Sequence, residues 1–421
     1  MLKAVLIVCD GLRADMVRPD WTPNLCRLAG RSRTFSNHGT VFPSTTRTTS
    51  ASIATGCRPG RHGLEGNCVA IDEGVRLVAV SVGPPEFRDR LARVAGRTLA
   101  VPTLAERLAG QGGGAVYSNV SAGAAYFHDP DGYGYVYHRQ GSYGPGRRPI
   151  TGDDHLNVSH DCAGDTEMTS RFIEEALGGD GPAYAVLWQC EPDFTQHAEP
   201  LGSTGHLKAI RNADDNVGRV AERVDALRRG GDDVLFLVGS DHGHETVDGI
   251  VPLSDLLVQA GLKATVDSSD VVVASNGFSA NLYFSDDALG QVGAVADFVA
   301  TVAGIERVYQ GDELAALGHR TDTALRLAVT TEGTDEPNEY CVPGRRLAIA
   351  DPLHSDTRMG CGQHGGLGRF EQSPFLIVHG SEAEEGARCE AATSTIDIAP
   401  TVLRHLCHVA GDMDGTPLPL A

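Results

Sequence analysis

The chain has 421 residues and a mass of 44.4 kDa, with 41% hydrophobic and 21% charged residues. That excludes a disordered chain and suits a large single-core enzyme carrying an inserted subdomain. Lys and Arg number 35 against 55 Asp and Glu, a formal net charge of -20, so bulk nucleic acid and anionic membranes are excluded as partners by repulsion.

A strand-like segment begins at Leu2, so no signal peptide is expected. No apolar run reaches the roughly 18 residues of a membrane-spanning helix. The ten cysteines are scattered singly, with no C-x-x-C pair. The expectation is a cytoplasmic protein with reduced thiols. Short apolar runs at 4–9, 183–188, 234–238 and 375–378 read as strands buried on both faces, as in a parallel sheet. Residues 42–56 read as a loop, a short Ser/Thr-rich helix and a glycine stop. Thr103-Leu-Ala-Glu106 is a capping box that opens a short helix before the glycines 112–114. The stretch 206–229 places Ile210, Val217, Val220, Val224 and Leu227 at helical spacings, ahead of Gly230-Gly231. Residues 395–406 read as the last long helix.

This alternation predicts an α/β fold with a mostly parallel central sheet flanked by helices. Two regions interrupt it. Residues 126–160, rich in Gly, Tyr, Asp and His, are expected to form a long loop near the site. Residues 262–349 are expected to form an inserted α+β cap, with strands 271–274, 280–284 and 305–309 and a helix 288–303. The catalytic core is then 1–261 and 350–421. No internal repeat is present, and the sequence leaves the oligomeric state open.

Three of the buried strands run into acidic or histidine-bearing turns: Cys9-Asp10-Gly11, Cys190-Glu-Pro-Asp193-Phe-Thr-Gln-His197 and Ser240-Asp241-His242-Gly243. A fourth piece is Gly362-Gln-His364-Gly365-Gly366. Ligands in open α/β sheets bind beyond the carboxyl ends of the strands, so Asp10, Asp193, His197, Asp241, His242 and His364 are expected to gather there. Carboxylate oxygen with imidazole nitrogen is a ligand set for Zn²⁺, with Mn²⁺ or Fe next. Six ligands are too many for one catalytic zinc. They suit two metals about 4 Å apart that clamp the attacking and leaving oxygens of a phosphoryl displacement. A hydroxyl at the start of the 42–56 helix is the candidate nucleophile, with Ser44, Thr45 and Thr46 all open at this point.

Asp10-Gly11, Phe42-Pro43-x-x-Thr46, Thr55-Gly56-x-x-Pro59-x-x-His62-Gly63, Asp193-x-x-x-His197, Asp241-His242-Gly243 and His364-Gly365 together resemble the alkaline phosphatase superfamily. Within it they are most similar to the type I phosphodiesterase/nucleotide pyrophosphatase branch. The resemblance implies that Asp193, His197 and His364 hold one zinc. Asp10, Asp241 and His242 then hold the other, which also touches the nucleophile. It selects Thr46 as that nucleophile, through its offsets from Pro43 and Gly56, and Asn67 as the residue that binds a non-bridging phosphate oxygen. It implies two-metal hydrolysis of a small, anionic phosphodiester or pyrophosphate through a phospho-threonine.

The chain departs from the branch at Arg47, where an aromatic residue usually follows the nucleophile. Arg47 would either bind a second anionic group of the substrate or lie on the solvated helix face. The insertion and His364-Gly-Gly-Leu-Gly also resemble phosphonoacetate hydrolases, so phosphonate C–P cleavage is the first rival activity. Residues 115–130, however, lack the lysines of that family. A non-catalytic zinc-stabilised binding protein is the second rival. Cys57-Arg58-Pro59-Gly60-Arg61 imitates a sulfatase motif, but it follows Thr55-Gly56 where the sulfatase cysteine precedes that pair.

Overall fold

The computed structural model describes residues 1–74, 76–179, 181–351, 353 and 357–421. Ten strands form its main sheet. The central four, Asp233–Gly239, Leu2–Cys9, Tyr184–Gln189 and Ala115–Ser118, lie side by side and parallel. Leu2–Cys9 is central because seven of its eight residues are buried. Its side chains alternate between two cores, as the period of a strand requires. Ala4, Leu6 and Val8 join Ile53, Ile398 and Val402 on one face. Val5, Ile7 and Cys9 join Ile210, Val217, Val220 and Val224 on the other. The sheet is therefore a middle layer between helices, as its composition predicts.

The helix Thr204–Arg229 supplies much of the second face. Ser203 caps it by accepting a 3.2 Å hydrogen bond from the His206 N–H, and Gly230-Gly231 end it. The Thr103 hydroxyl likewise accepts from Glu106 N–H at 3.3 Å, opening the short helix Leu104–Arg107.

Four expectations are corrected. The strand at Leu376–His379 pairs antiparallel with Asp233–Gly239, so the sheet is mixed at that side. Residues 126–160 are not one loop. Tyr135–Tyr137, Ser142–Gly144 and Arg148–Ile150 continue the main sheet to its far edge. They escape a reading by periodicity because each spans only three residues. The helix expected over 288–303 is a 3-10 turn, Asp286–Gln291, followed by the α-helix Val292–Val299. The last helix divides in the same way, into Thr395–Asp397 and Ile398–His405.

Within 262–349, Val271–Ser275, Ser279–Phe284, Leu325–Thr331 and Ile305–Gln310 form a separate antiparallel sheet. Its core also takes Val251, Leu253 and Leu257 from the chain before it. The hairpin turn of this sheet, residues 276–278, reaches back to the end of the main sheet. Gly365, at φ +108, passes so close to it that a Cβ there would lie 1.6 Å from the Asn276 carbonyl oxygen.

Candidate active site

Apart from Arg47 and Ile53 the helix Thr46–Thr55 is made of small residues, and all but Arg47 are buried. Small side chains let it lie against Ala122–Tyr126, where the Ser50 hydroxyl donates to the Ala124 carbonyl at 2.6 Å. Gly56, in the left-handed region, ends it. Thr45 is its cap residue and Thr46 its first helical residue. The side chain of Thr45 turns inward, donating to the Thr48 hydroxyl at 2.9 Å. Thr46 Oγ1 lies 3.1 Å from His242 Nε2.

The strand ends bring the acidic residues together. Asp10 follows Leu2–Cys9, and its carbonyl accepts from the Asp193 N–H at 3.1 Å. Gly11, at φ +69, donates its N–H to Asp241 Oδ1 at 3.1 Å. A Cβ at Gly11 would lie 2.8 Å from His244 and from Gln196, so the turn needs glycine. His242 Nε2 is 3.1 Å from Asp241 Oδ2 and 3.6 Å from Asp10 Oδ1. Asp193 Oδ1 is 3.4 Å from His197 Nε2 and 3.7 Å from His364 Nε2. The His242 and His364 rings stack with centroids 3.7 Å apart. All six residues expected from the sequence thus converge, with Thr46 against them.

The grouping is tighter on some of these residues than on others. Candidate ligand atoms of Asp10, Asp241 and His242 lie within 4.8 Å of one another, as do those of Asp193, His242, His364 and His244. His197 stands at the outer side of the second group. His244 was not singled out in the sequence. Its Nε2 lies 2.7 Å from Asp193 Oδ1 and its Nδ1 is buried with no partner among the described residues. The signal is the second histidine of Asp241-His242-Gly243-His244, whose ring lies 5.5 Å from that of His242.

Three features fit this cluster to divalent cations. Asp10 Oδ1 and Asp241 Oδ2 are buried and accept no hydrogen bond from the described residues, although buried oxygens are normally satisfied. His364 Nδ1 faces the Ser44 carbonyl at 2.7 Å and His242 Nδ1 the Gly243 carbonyl at 3.1 Å. A carbonyl only accepts, so each Nδ1 carries the proton and each Nε2 presents a lone pair to the cluster. Finally, the carboxylates crowd one another. Burial, with Asp241 and Asp193 nearby, raises Asp10 well above the usual range. Burial and Asp193 push Asp241 up to about 8 against the Gly11 N–H. Burial also opposes charge on Asp193, but His197 and His244 hold it well below the usual range. Burial brings His242 down to about 4. Bound cations would relieve the repulsion that raises Asp10 and Asp241.

Two buried networks carry the loops. The Ser44 hydroxyl donates to Glu371 Oε2 at 2.8 Å and accepts from Gly365 N–H at 2.9 Å. Glu371 also accepts from the N–H groups of Gly366 and Gly368, which fixes the turn after His364. Asn276 Oδ1 accepts from the N–H groups of Asn67 and Cys68 at 2.7 and 3.1 Å. Asn67 Oδ1 in turn accepts from Arg47 N–H at 3.1 Å. The cluster opens into a cavity of about 740 Å³ lined by Thr46, Arg47, Asn67, Asp193, His197 and His364, among others. Arg47 therefore faces the cavity. Cys57, of the sulfatase-like stretch, is buried and does not line it. All ten cysteines are free thiols, and no helix of the described residues is long and apolar enough to cross a membrane.

Residues 4–347 match the family model for type I phosphodiesterase / nucleotide pyrophosphatase. No curated protein sequence matches the chain. Among solved structures, murine ectonucleotide pyrophosphatase/phosphodiesterase 5 superposes with a TM-score of 0.69 at 17% identity, covering 98% of this chain and 97% of that one. An inactive threonine-to-alanine variant of the murine protein, in complex with AMP, gives a TM-score of 0.70 at 16% identity and 99% and 98% coverage. The human protein gives 0.66 at 16% identity, with 98% and 97% coverage. At such identities these likenesses speak to the fold, while the family model spans most of the sequence. The chain belongs to the type I phosphodiesterase/nucleotide pyrophosphatase family of hydrolases, in the alkaline phosphatase superfamily.

Proposed function

We propose that the protein is a two-zinc hydrolase that cleaves a small phosphodiester or pyrophosphate through a phospho-threonine at Thr46. Mn²⁺ or Fe would suit the same ligands. The observation that carries this reading is Thr46 Oγ1, 3.1 Å from His242 Nε2 at the start of a buried helix that opens onto the carboxylate–imidazole cluster. Asp193, His197 and His364 would hold one metal, and Asp10, Asp241 and His242, with Thr46, the other. Bound divalent cations supply positive charge to the phosphoryl oxygens and lower the pKa of a bound hydroxyl or water.

The residues of the chain account for the rest. Thr46 sits where unpaired helix N–H groups and the helix dipole favour an oxyanion. Its Oγ1 attacks phosphorus in line. The Oγ1–P bond forms as the bond to the leaving oxygen breaks, and the Thr46 proton ends on that oxygen; water then cleaves the Oγ1–P bond, giving its hydroxyl to phosphorus and a proton that restores Thr46. With Asn67 Oδ1 occupied by the Arg47 N–H, the Asn67 amide group is left to donate to a non-bridging phosphate oxygen. Arg47 contributes a cation beside it. An inactive threonine-to-alanine variant in the murine relative, and AMP bound to it, support a threonine nucleophile and a nucleotide-sized phosphoester. The singly scattered cysteines support a reducing, cytoplasmic compartment.

The test is a substrate panel on zinc-loaded protein: aryl phosphodiesters, monoesters, dinucleotides and phosphonoacetate. Diesters should be hydrolysed faster than the matching monoesters, and chelation should abolish turnover. Acetate and phosphate from phosphonoacetate, with no diester turnover, would transfer the site to C–P cleavage.

A further inference from the structure

We infer that the cavity contains a second anion subsite, built from Arg47 and Arg139, and that the substrate carries a further anionic group, a carboxylate or second phosphate, close to the transferred phosphoryl group. The inference rests on the proposed reaction at Thr46 and adds what that reaction leaves open, the chemistry of the group attached to phosphorus.

Both arginines line the cavity and both are half-buried. They are fastened to the same short segment, which follows the strand Ala115–Ser118. Arg47 Nε donates to the Ser121 hydroxyl at 3.0 Å. Arg139 Nη1 donates to the carbonyls of Asn119 and Val120, each at 2.7 Å. These bonds use one edge of each guanidinium. They supply no negative charge. Neither arginine forms a salt bridge with a described residue, whereas the most deeply buried arginines do. Arg13 pairs with Asp15, Arg33 with Glu384, and Arg346 with Glu245 and Glu306.

The contrast matters because acidic side chains outnumber basic ones by 55 to 35, so carboxylate partners are plentiful. Burial opposes the charge on both guanidinium groups. Asp193 and Asp10, then Cys68 and Asp351, favour the charge on Arg47 through space, as Cys190 and Asp165 do for Arg139; cations bound in the cluster would cancel the help of Asp193 and Asp10. An incoming carboxylate or phosphate, taken up by two planar donors, restores it. The subsite begins beside the reacting phosphorus, because Arg47 directly follows Thr46 and its N–H rests on Asn67. A short linker therefore suits the second anion, and a purely neutral ester arm would leave both guanidinium groups without a direct anionic contact.

Calorimetry on the full-length, zinc-loaded protein tests this with three ligands that lack an ester bond: propylphosphonate, 3-phosphonopropionate and ethane-1,2-diphosphonate. The first has a neutral arm, the second a carboxylate and the third a second phosphonate. At least one anionic-armed ligand should bind about tenfold more tightly than propylphosphonate, the yield of a charged hydrogen-bonded contact. The preferred arm identifies the carboxylate or the phosphate source. Arg47→Gln should cut that preference by about threefold or more, and Arg139→Gln should do the same. If Arg139→Gln does not fold, because Arg139 also holds the 119–120 carbonyls, Arg47→Gln decides alone. Equal affinities in the wild type overturn the subsite. A preference that survives unchanged in Arg47→Gln also overturns it, since the metals would then be holding the arm. None of the ligands is turned over. An arginine-dependent preference in a protein that hydrolyses no diester would thus sink the Thr46 reaction and keep the subsite, and diester hydrolysis without the preference would do the reverse.

Discussion

The two walls of the cavity are built by different means. On one, Asp10 and Asp193 line the cavity and, with Asp241, stand just past parallel strands whose residues are buried on both faces. Their backbones are tied to one another, Asp193 N–H to the Asp10 carbonyl and Gly11 N–H to Asp241. On the other, Arg47, Arg139, Gln140 and His160 come from a helix start and from the loops around three-residue strands. The first wall is held by the core of the fold. The second is held by side chains that reach a hydroxyl and a few backbone carbonyls. The first is therefore suited to chemistry common to a superfamily and the second to the choice of substrate, the division expected between a rigid scaffold and the loops it carries.

That division can be broken or sharpened by mutation. The largest effect is expected at the junction. Thr46→Ala should lower kcat by roughly 10²–10⁴-fold or more and leave bound metal largely in place, while Thr46→Ser keeps measurable activity. Next come the ligands. Metal analysis of purified protein should give about two Zn²⁺ per chain, His364→Ala should lose mainly one and Asp241→Asn mainly the other. A fully active protein without bound metal would end this reading of the first wall. A smaller effect is expected where the second sheet props the site. Asn276→Ala leaves the buried N–H groups of Asn67 and Cys68 without their acceptor. It should cost about 1–3 kcal/mol of stability, seen as a lower Tm and a lower denaturation midpoint. The smallest belongs to Thr45→Ala. The Thr45 side chain makes no cap bond to the backbone and loses only its bond to the Thr48 hydroxyl, so stability should fall by about 1 kcal/mol and the rate should stay near that of the wild type. A rate loss at Thr45 as large as at Thr46 would place the nucleophile one residue earlier.

The same division explains what was legible in the sequence. Residues 4–9 and 234–238 are continuous apolar runs, and such runs belong to strands with no solvent face. The acidic turns after them were readable because a carboxylate placed straight after a buried strand has few structural reasons to be there. The antiparallel direction of Leu376–His379 was not readable, since a fully buried strand shows no alternation that distinguishes the two directions. Tyr135–Tyr137 and its neighbours were missed for want of length. The helical pattern over 288–303 outruns Val292–Val299 because its apolar spacing carries on through Ala288 across Gly290 and Gly293. His244 is masked in the sequence by the more familiar Asp241-His242 pair beside it. Arg139 gave no signal at all, because its role depends on Asn119 and Val120, about twenty residues earlier. The direction of Arg47, toward the cavity and not the solvent, likewise needed the structure.

The central claim is that Thr46 itself becomes bonded to phosphorus. Stereochemistry at a chiral phosphorothioate diester, hydrolysed in isotopically labelled water, tests it most directly. Attack by Thr46 followed by attack of water makes two in-line displacements, and the configuration at phosphorus is retained overall. Direct attack by water makes one displacement and inverts it. The account predicts net retention, and net inversion would contradict it while leaving the carboxylate–imidazole cluster as the site of the reaction.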